Sequence, residues 1–287
     1  MTSQHALNNF ADPAPASASD AHPLDQACSL QIRPDGLLDG ATHPAYANMV
    51  GPFGGVIAAT LLNAPLSSPE RLGDPVALTV NFAAPITDGP FQIRRQATRT
   101  NRSTQHWSIE LLQQDQVCAT ASAVFAIRRE TWSSTEITAP MMPDPNCVPV
   151  WKMLKPLAWP RSYRMQFTQG ALDELTAEGM DGDSASSLWI RDEPARPLDF
   201  LSLTAISDAF FPRIFLRRGR WTPIGTVSMT TYFHACADTL AAQGSESVFG
   251  SARAQHFGKG FSDQTAELWG RDGTLLANSH QIVYFKE

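Results

Sequence analysis

Cysteine is scarce in this 287-residue sequence, and basic runs, long apolar runs and the familiar nucleophile and metal motifs are missing. The four cysteines, Cys28, Cys118, Cys147 and Cys236, are scattered and form no C-x-x-C pair, which excludes a zinc ribbon and a disulfide framework and fits a reducing cytoplasm. Lys and Arg number 22 against 28 Asp and Glu, a net charge of -6, with no basic stripe. Nucleic acid and anionic membrane surfaces therefore have nothing to hold, and small molecules become the default ligand class. No apolar stretch approaches the roughly 20 residues of a membrane span. The opening MTSQHALNNFADPAPASASDAHP lacks a basic and then apolar leader, so it does not read as a secretory signal. Its Ala/Ser/Pro bias predicts a mobile tail over 1–25. There is no G-x-S-x-G elbow to supply a serine nucleophile, and no H-E-x-x-H or clustered His/Asp spacing, so neither a metal nor a redox cofactor is expected.

What is present is patterned. GPFGG (51–55) leads into VIAATLLNAPL, a short Ala- and Leu-rich run that predicts a buried helix. Strand-like segments follow at 75–86, 91–101 and 104–129, the last long enough to fold back near Gln114-Asp115-Gln116. Residues 130–197 hold eight of the 21 prolines and several polar clusters, the composition of a connector with some strand in it. A second apolar helical run occupies 198–219, and strand segments return at 224–236, 247–257 and 263–287. The order is the same as before, which reads as an internal repeat. A shift of 151 sets ALTVNFAAP (77–85) on SMTTYFHAC (228–236), and a slightly larger one sets ELLQQDQVCA on ELWGRDGTLLA. Each repeat makes a sheet with one apolar face, and a helix laid across it provides the cover.

Within the second helical run, LTAISDAFFPRIF (203–215) places Asp208 among apolar neighbours. Burying a carboxylate is expensive unless it is paired or hydrogen-bonded, so an acid there points to a use. Desolvation raises its pKa and makes it a better base toward water. The bland alternative is a helix-terminal, solvent-facing residue, since Pro212 four positions on breaks helices.

The arrangement resembles the acyl-CoA thioesterase II (TesB-like) family of double hotdog proteins over roughly residues 25–287. The similarity rests on GPFGGVIAATLLNA, LTVNFAAPI and TRTNRSTQHWSIELLQQDQ in the first half, and on LWIRDE, AISDAFF, IGTVSMTTYFH and GRDGTLLANSHQ in the second. It implies an α+β double hotdog in which each repeat has a long central helix wrapped by an antiparallel sheet. The implied units are a tail (1–25), an N-terminal repeat (26–130), a connector (131–160) and a C-terminal repeat (161–287) carrying the catalytic groups. It also implies an acyl-CoA substrate, no cofactor and a homo-oligomer. Carried over position by position, the family's Asp, Thr and Gln fall on Asp208, Thr226 and Gln281, which together position the attacking water.

Thioester hydrolysis also needs a slot for the acyl chain and an oxyanion donor. Phe210 and Phe211 are candidates for the slot, Gly54 and Gly55 for close approach of backbone to the thioester, and Lys259 for the phosphates of coenzyme A. His106 and His234 are assigned structural roles. The 151 shift sets Asp208 opposite Ile57 and Thr226 opposite Pro75, and the larger shift sets Gln281 opposite Ala123, so one working site per chain is expected. Two rivals stay open: a hotdog hydratase or dehydratase, which needs a histidine near the acid, and a non-catalytic acyl-thioester binding protein.

Overall fold

Breakers and alternation set the elements. The computed structural model describes residues 21–152, 157–172 and 182–286. The first series is α1 (Pro23–Ala27), β1 (Gln31–Ile32), β2 (Leu38–Ala41), α2 (Gly54–Leu66), β3 (Asp74–Phe82), β4 (Pro90–Thr100), β5 (Thr104–Gln113) and β6 (Gln116–Ala126). The second series is β7 (Tyr163–Gln169), β8 (Ser186–Asp192), α3 (Phe200–Ile206), α4 (Arg213–Arg218), β9 (Ile224–Phe233), α5 (Ala237–Gln243), β10 (Val248–Arg253), β11 (Phe257–Gly258), β12 (Phe261–Trp269) and β13 (Leu275–Phe285).

Helix α2 is apolar on all sides, and ten of its 13 residues are buried, as its Ala/Leu composition predicts. Gln114 and Asp115 have φ of 51° and 61°, so the β5–β6 hairpin closes through two left-handed residues that match the twist of its strands. The second helical run behaves differently. It is not one long helix: α3 stops at Ile206 and α4 starts at Arg213 behind Pro212, leaving Asp208 in the turn between them. Proline removes a donor and pushes its predecessor out of the helical region, so the run breaks there. The long central helix expected in each repeat is not found: the first repeat has the 13-residue α2 and the second the short α3 and α4.

Two further differences concern the segments outside the repeats. Residues 1–20 of the expected tail lie outside the described residues, but 23–27 form α1 with Leu24 fully buried, so the packed chain starts ahead of residue 26. The proline-rich connector is also part of the packing. Pro143 accepts from Trp189 Nε1 at 2.8 Å, and Pro145 and Val148 accept from Gln166 Nε2 at 2.6 Å each.

All the strands join one antiparallel sheet in the order β1-β2-β4-β5-β6-β3-β9-β13-β12-β10-β8-β7, with β11 on β12. The two halves meet at β3 and β9, where Ala77 pairs with Tyr232, Thr79 with Thr230 and Asn81 with Ser228. That ladder maps onto itself under an offset of 151, as a two-fold axis through the Thr79/Thr230 pair requires. Thr79 pairs with Ser122 and Thr230 with His280, so the next strands out, β6 and β13, correspond at an offset of 158. Both offsets read from the sequence are therefore carried by the hydrogen-bond register. Even the irregularities repeat. Val76 is the extra residue between Pro75 and Ala77 opposite Phe125 and Val124, and Val227 is the extra one between Thr226 and Ser228 opposite Val283 and Ile282. The helices α2 and α3 lie against each other on the inner face, and their apolar side chains with those of the sheet make one continuous core.

Candidate active site

Strand alternation decides which side chains reach the helices. Along β13 the residues 277, 279, 281, 283 and 285 are buried while 280, 282 and 284 face outward, so Gln281 points inward and is only 5% exposed. On β9 Met229, Thr231 and Phe233 point inward. Continued regularly, that pattern would turn Val227 inward. The bulge instead leaves Val227 outside, 38% exposed, and brings Thr226 to the inner side, where it lines the cleft.

Asp208 meets these groups from the turn after α3. Gln281 Nε2 donates to its Oδ1 at 2.8 Å, and the backbone N–H of Gly55 donates to the same carboxylate. The carboxylate thus sits at the N-terminus of α2, where unpaired N–H groups and the helix dipole favour negative charge. It opens onto the cleft yet is surrounded by protein, and that burial is the main influence on it. Desolvation lifts the carboxyl from 3.8 to about 7, against the lowering effect of the Gln281 and Gly55 hydrogen bonds.

The two glycines are required by space. A side chain at Gly54 would put Cβ 2.8 Å from Asp208 Oδ2, and one at Gly55 would put it 2.5 Å from the carbonyl oxygen of Ala205. Both allow α2 to approach α3 closely enough to reach the acid.

The cleft around Asp208 has a volume of about 420 Å³. Its floor carries Thr226, Gln281 and Gln264, its walls Phe53, Phe82, Trp159 and Phe210, and the loop residues Met49 and Val50 stand at its rim. Trp159, from the connector, stacks on Phe53 with ring centroids 4.4 Å apart and planes 6° from parallel.

Of the residues singled out in the sequence, Asp208, Thr226, Gln281, Gly54 and Phe210 come together on this cleft. Gly55 is buried behind it and acts through its N–H. Phe211 does not line it; its ring packs into an aromatic cluster with Trp151, Trp159 and Phe167. Lys259 lies in a separate depression of about 640 Å³ with Arg217, Arg218 and His256. His234 is exposed and pairs with Asn278 Oδ1 at 2.7 Å, and no histidine lines the cleft among the described residues. Other cleft residues, among them Phe53, Trp159 and Gln264, were not foreseen. Phe53 stands in the quoted GPFGG, whose glycines drew the attention, while Trp159 and Gln264 carry no local signal, because their places depend on connector packing and strand register.

The first repeat offers no second copy of this chemistry. At the positions of Thr226 and Gln281 it has Pro75 and Ala123, and opposite Ala123, where β12 has Gln264, β5 has Trp107. Trp107 is buried with Nε1 bonded to Gln105 Oε1 at 3.0 Å.

Residues 137–285 match the model of the acyl-CoA thioesterase C-terminal domain, and residues 43–126 that of the acyl-CoA thioesterase N-terminal domain. Among solved structures, a conserved protein of unknown function with a hot dog fold from Alicyclobacillus acidocaldarius is 45% identical, with a TM-score of 0.88 over 93% of this chain and 99% of its own. A putative thioesterase II from Thermobifida fusca YX is 17% identical, with a TM-score of 0.79 over 93% and 99%. The tesB protein of Mycobacterium avium subs paratuberculosis is 16% identical, with a TM-score of 0.74 over 92% and 98%. These last two share the fold. The search of curated proteins found no match. With both thioesterase domains present in order on a hotdog scaffold, the chain belongs to the acyl-CoA thioesterase family and is a thioester hydrolase.

Proposed function

We propose that this enzyme hydrolyses acyl-CoA to the free acid and coenzyme A by way of a water that Asp208 deprotonates. Thr226 and Gln281 hold that water against the carbonyl carbon. As the water oxygen bonds to carbon, its proton passes to Asp208. When the tetrahedral intermediate collapses, the C–S bond breaks and the thiolate leaves with the proton that Asp208 held. The observation that carries this reading is a carboxylate held by Gln281 and by the N–H of Gly55, with its pKa near the working pH. The N-terminus of α2, which faces the cleft at Gly54, supplies N–H groups for the oxyanion.

In this reading the chain is a double hotdog of two units, 26–130 and 161–287, joined by the connector 131–160. Lys259, with Arg217 and Arg218 around the neighbouring depression, meets the phosphates of coenzyme A. The four free cysteines fit the cytoplasm. A homo-oligomer would cover the apolar outward-facing side chains Val227, Tyr232 and Ile282. Among the described residues no histidine lines the cleft, which disfavours the hydratase alternative.

The test is thiol release from a panel of saturated acyl-CoAs by wild type, Asp208→Asn and Gln281→Ala. Loss in both variants with acyl-CoA binding intact supports the assignment. Binding without release by wild type would leave a binding protein.

A further inference from the structure

Gln264 has no structural task. It lies on the inward-facing row of β12 with Ser262, Ala266 and Leu268, is 3% exposed, and lines the cleft directly opposite Gln281 in the ladder. Its carboxamide makes no hydrogen bond to another described residue, and its polar atoms open onto the cleft. An amide so placed has donors and an acceptor free for a bound group. The scaffold does not require it, since the first repeat has Trp107 at the matching position.

Its place in the cleft says what would pair with it. Gln281 touches Asp208, and Gln264 is one strand further, about 4.8 Å across the sheet. Phe210 lines the same cleft, its ring packed over Gly250, which pairs with Leu268 four residues along β12 from Gln264; an added Cβ at Gly250 would lie 2.7 Å from its Cζ. Met49 and Val50 are 49% and 78% exposed whereas Gln264 and Phe210 are 3% and 6%, so the bulky coenzyme has the open side of the cleft and the acyl chain the buried side, toward Gln264 and Phe210.

We propose that Gln264 is a specificity residue: its amide hydrogen-bonds an oxygen carried by the acyl group close to the thioester. The enzyme then favours hydroxy- or keto-acyl thioesters over saturated chains of equal length. A site that pairs a buried polar group with a substrate oxygen discriminates against the analogue that lacks it, because the amide is then left dry and unpaired. This inference rests on the thioester-hydrolase reading.

The experiment compares kcat/KM for 3-hydroxybutyryl-CoA and butyryl-CoA in wild type, Gln264→Leu and Gln264→Met, with folding checked by circular dichroism. Wild type is expected to favour the hydroxylated substrate tenfold or more, and both variants to lose that preference through a lower kcat/KM for the hydroxylated substrate. Equal values in wild type, or a preference that survives in a folded Gln264→Leu or Gln264→Met, overturns the proposal. Calorimetric binding of the same two thioesters to Asp208→Asn separates the two readings. Tighter binding of the hydroxylated one keeps the role of Gln264 even if no turnover is seen, and equal binding removes it.

Discussion

The hydroxyls of Thr79 and Thr230 lie 3.0 Å apart at the centre of the β3–β9 ladder, each the counterpart of the other in its own repeat. This contact sits on the axis that relates the two halves, so it joins two sheets that would otherwise each end in an open edge. Thr79→Val and Thr230→Val should each cost about 0.5–1.5 kcal/mol. In a double-mutant cycle followed by urea unfolding, the pair should couple by about 0.2–1 kcal/mol. Strict additivity would show that the hydroxyls do not pair.

The glycines before α2 yield separable outcomes. Gly54→Ala pushes a methyl group against Asp208 Oδ2, so kcat should fall tenfold or more while the fold survives, because a carboxylate can rotate away. Gly55→Ala meets the backbone carbonyl of Ala205, which cannot yield so easily, and should lower stability by roughly 1–3 kcal/mol. Steady-state kinetics and denaturant midpoints distinguish the two.

Gln281 lowers the pKa of Asp208 by donating to its charged form. Gln281→Ala should move the rise of activity with pH to higher values, so that the deficit is large at pH 7 and partly recovered at pH 9. A deficit equal at both pH values would mean that Gln281 does not act through the acid.

Stability should respond to the same group with a definite sign. A carboxyl whose folded pKa is about 7 and whose ordinary value is 3.8 keeps its proton in the native state after the unfolded chain has lost it. Its contribution to stability is therefore greatest below 3.8 and falls as pH rises toward about 7. Asp208→Asn lacks this penalty, so the variant should melt above wild type at pH 8 and lose that advantage at pH 4. Each kcal/mol relieved is worth about 2–4 °C in a chain of this size. A variant less stable than wild type at pH 8 would argue that the carboxylate stabilises the fold.

Much of this architecture is legible in the chain because the sheet obeys local rules. The alternation of SMTTYF, the hairpin at Gln114-Asp115 and the 151 offset all follow from period-two patterning that survives in the register. Asp208 stands out for a similar reason, as a charge in an apolar run. What local pattern does not carry is the pairing of distant elements. The bulge that turns Thr226 inward depends on how β9 meets β13, and Gln264 faces the cleft only because it lies opposite Gln281. The split of the second helix was signalled by Pro212, but the apolar periodicity on both sides of it favoured one continuous helix. Trp159 belongs to a segment whose composition reads as linker, and only its stacking on Phe53 makes it part of the site.

Whether ionised Asp208 is the base is read from the pH dependence of kcat/KM for acyl-CoA hydrolysis in wild type and Asp208→Asn. The wild-type rate should climb through an apparent pKa near 7 and level off above it, and the variant should be reduced by about 10²–10⁴-fold with that rise abolished. A variant that keeps the same pH-dependent rise, or nearly wild-type activity, would contradict that role.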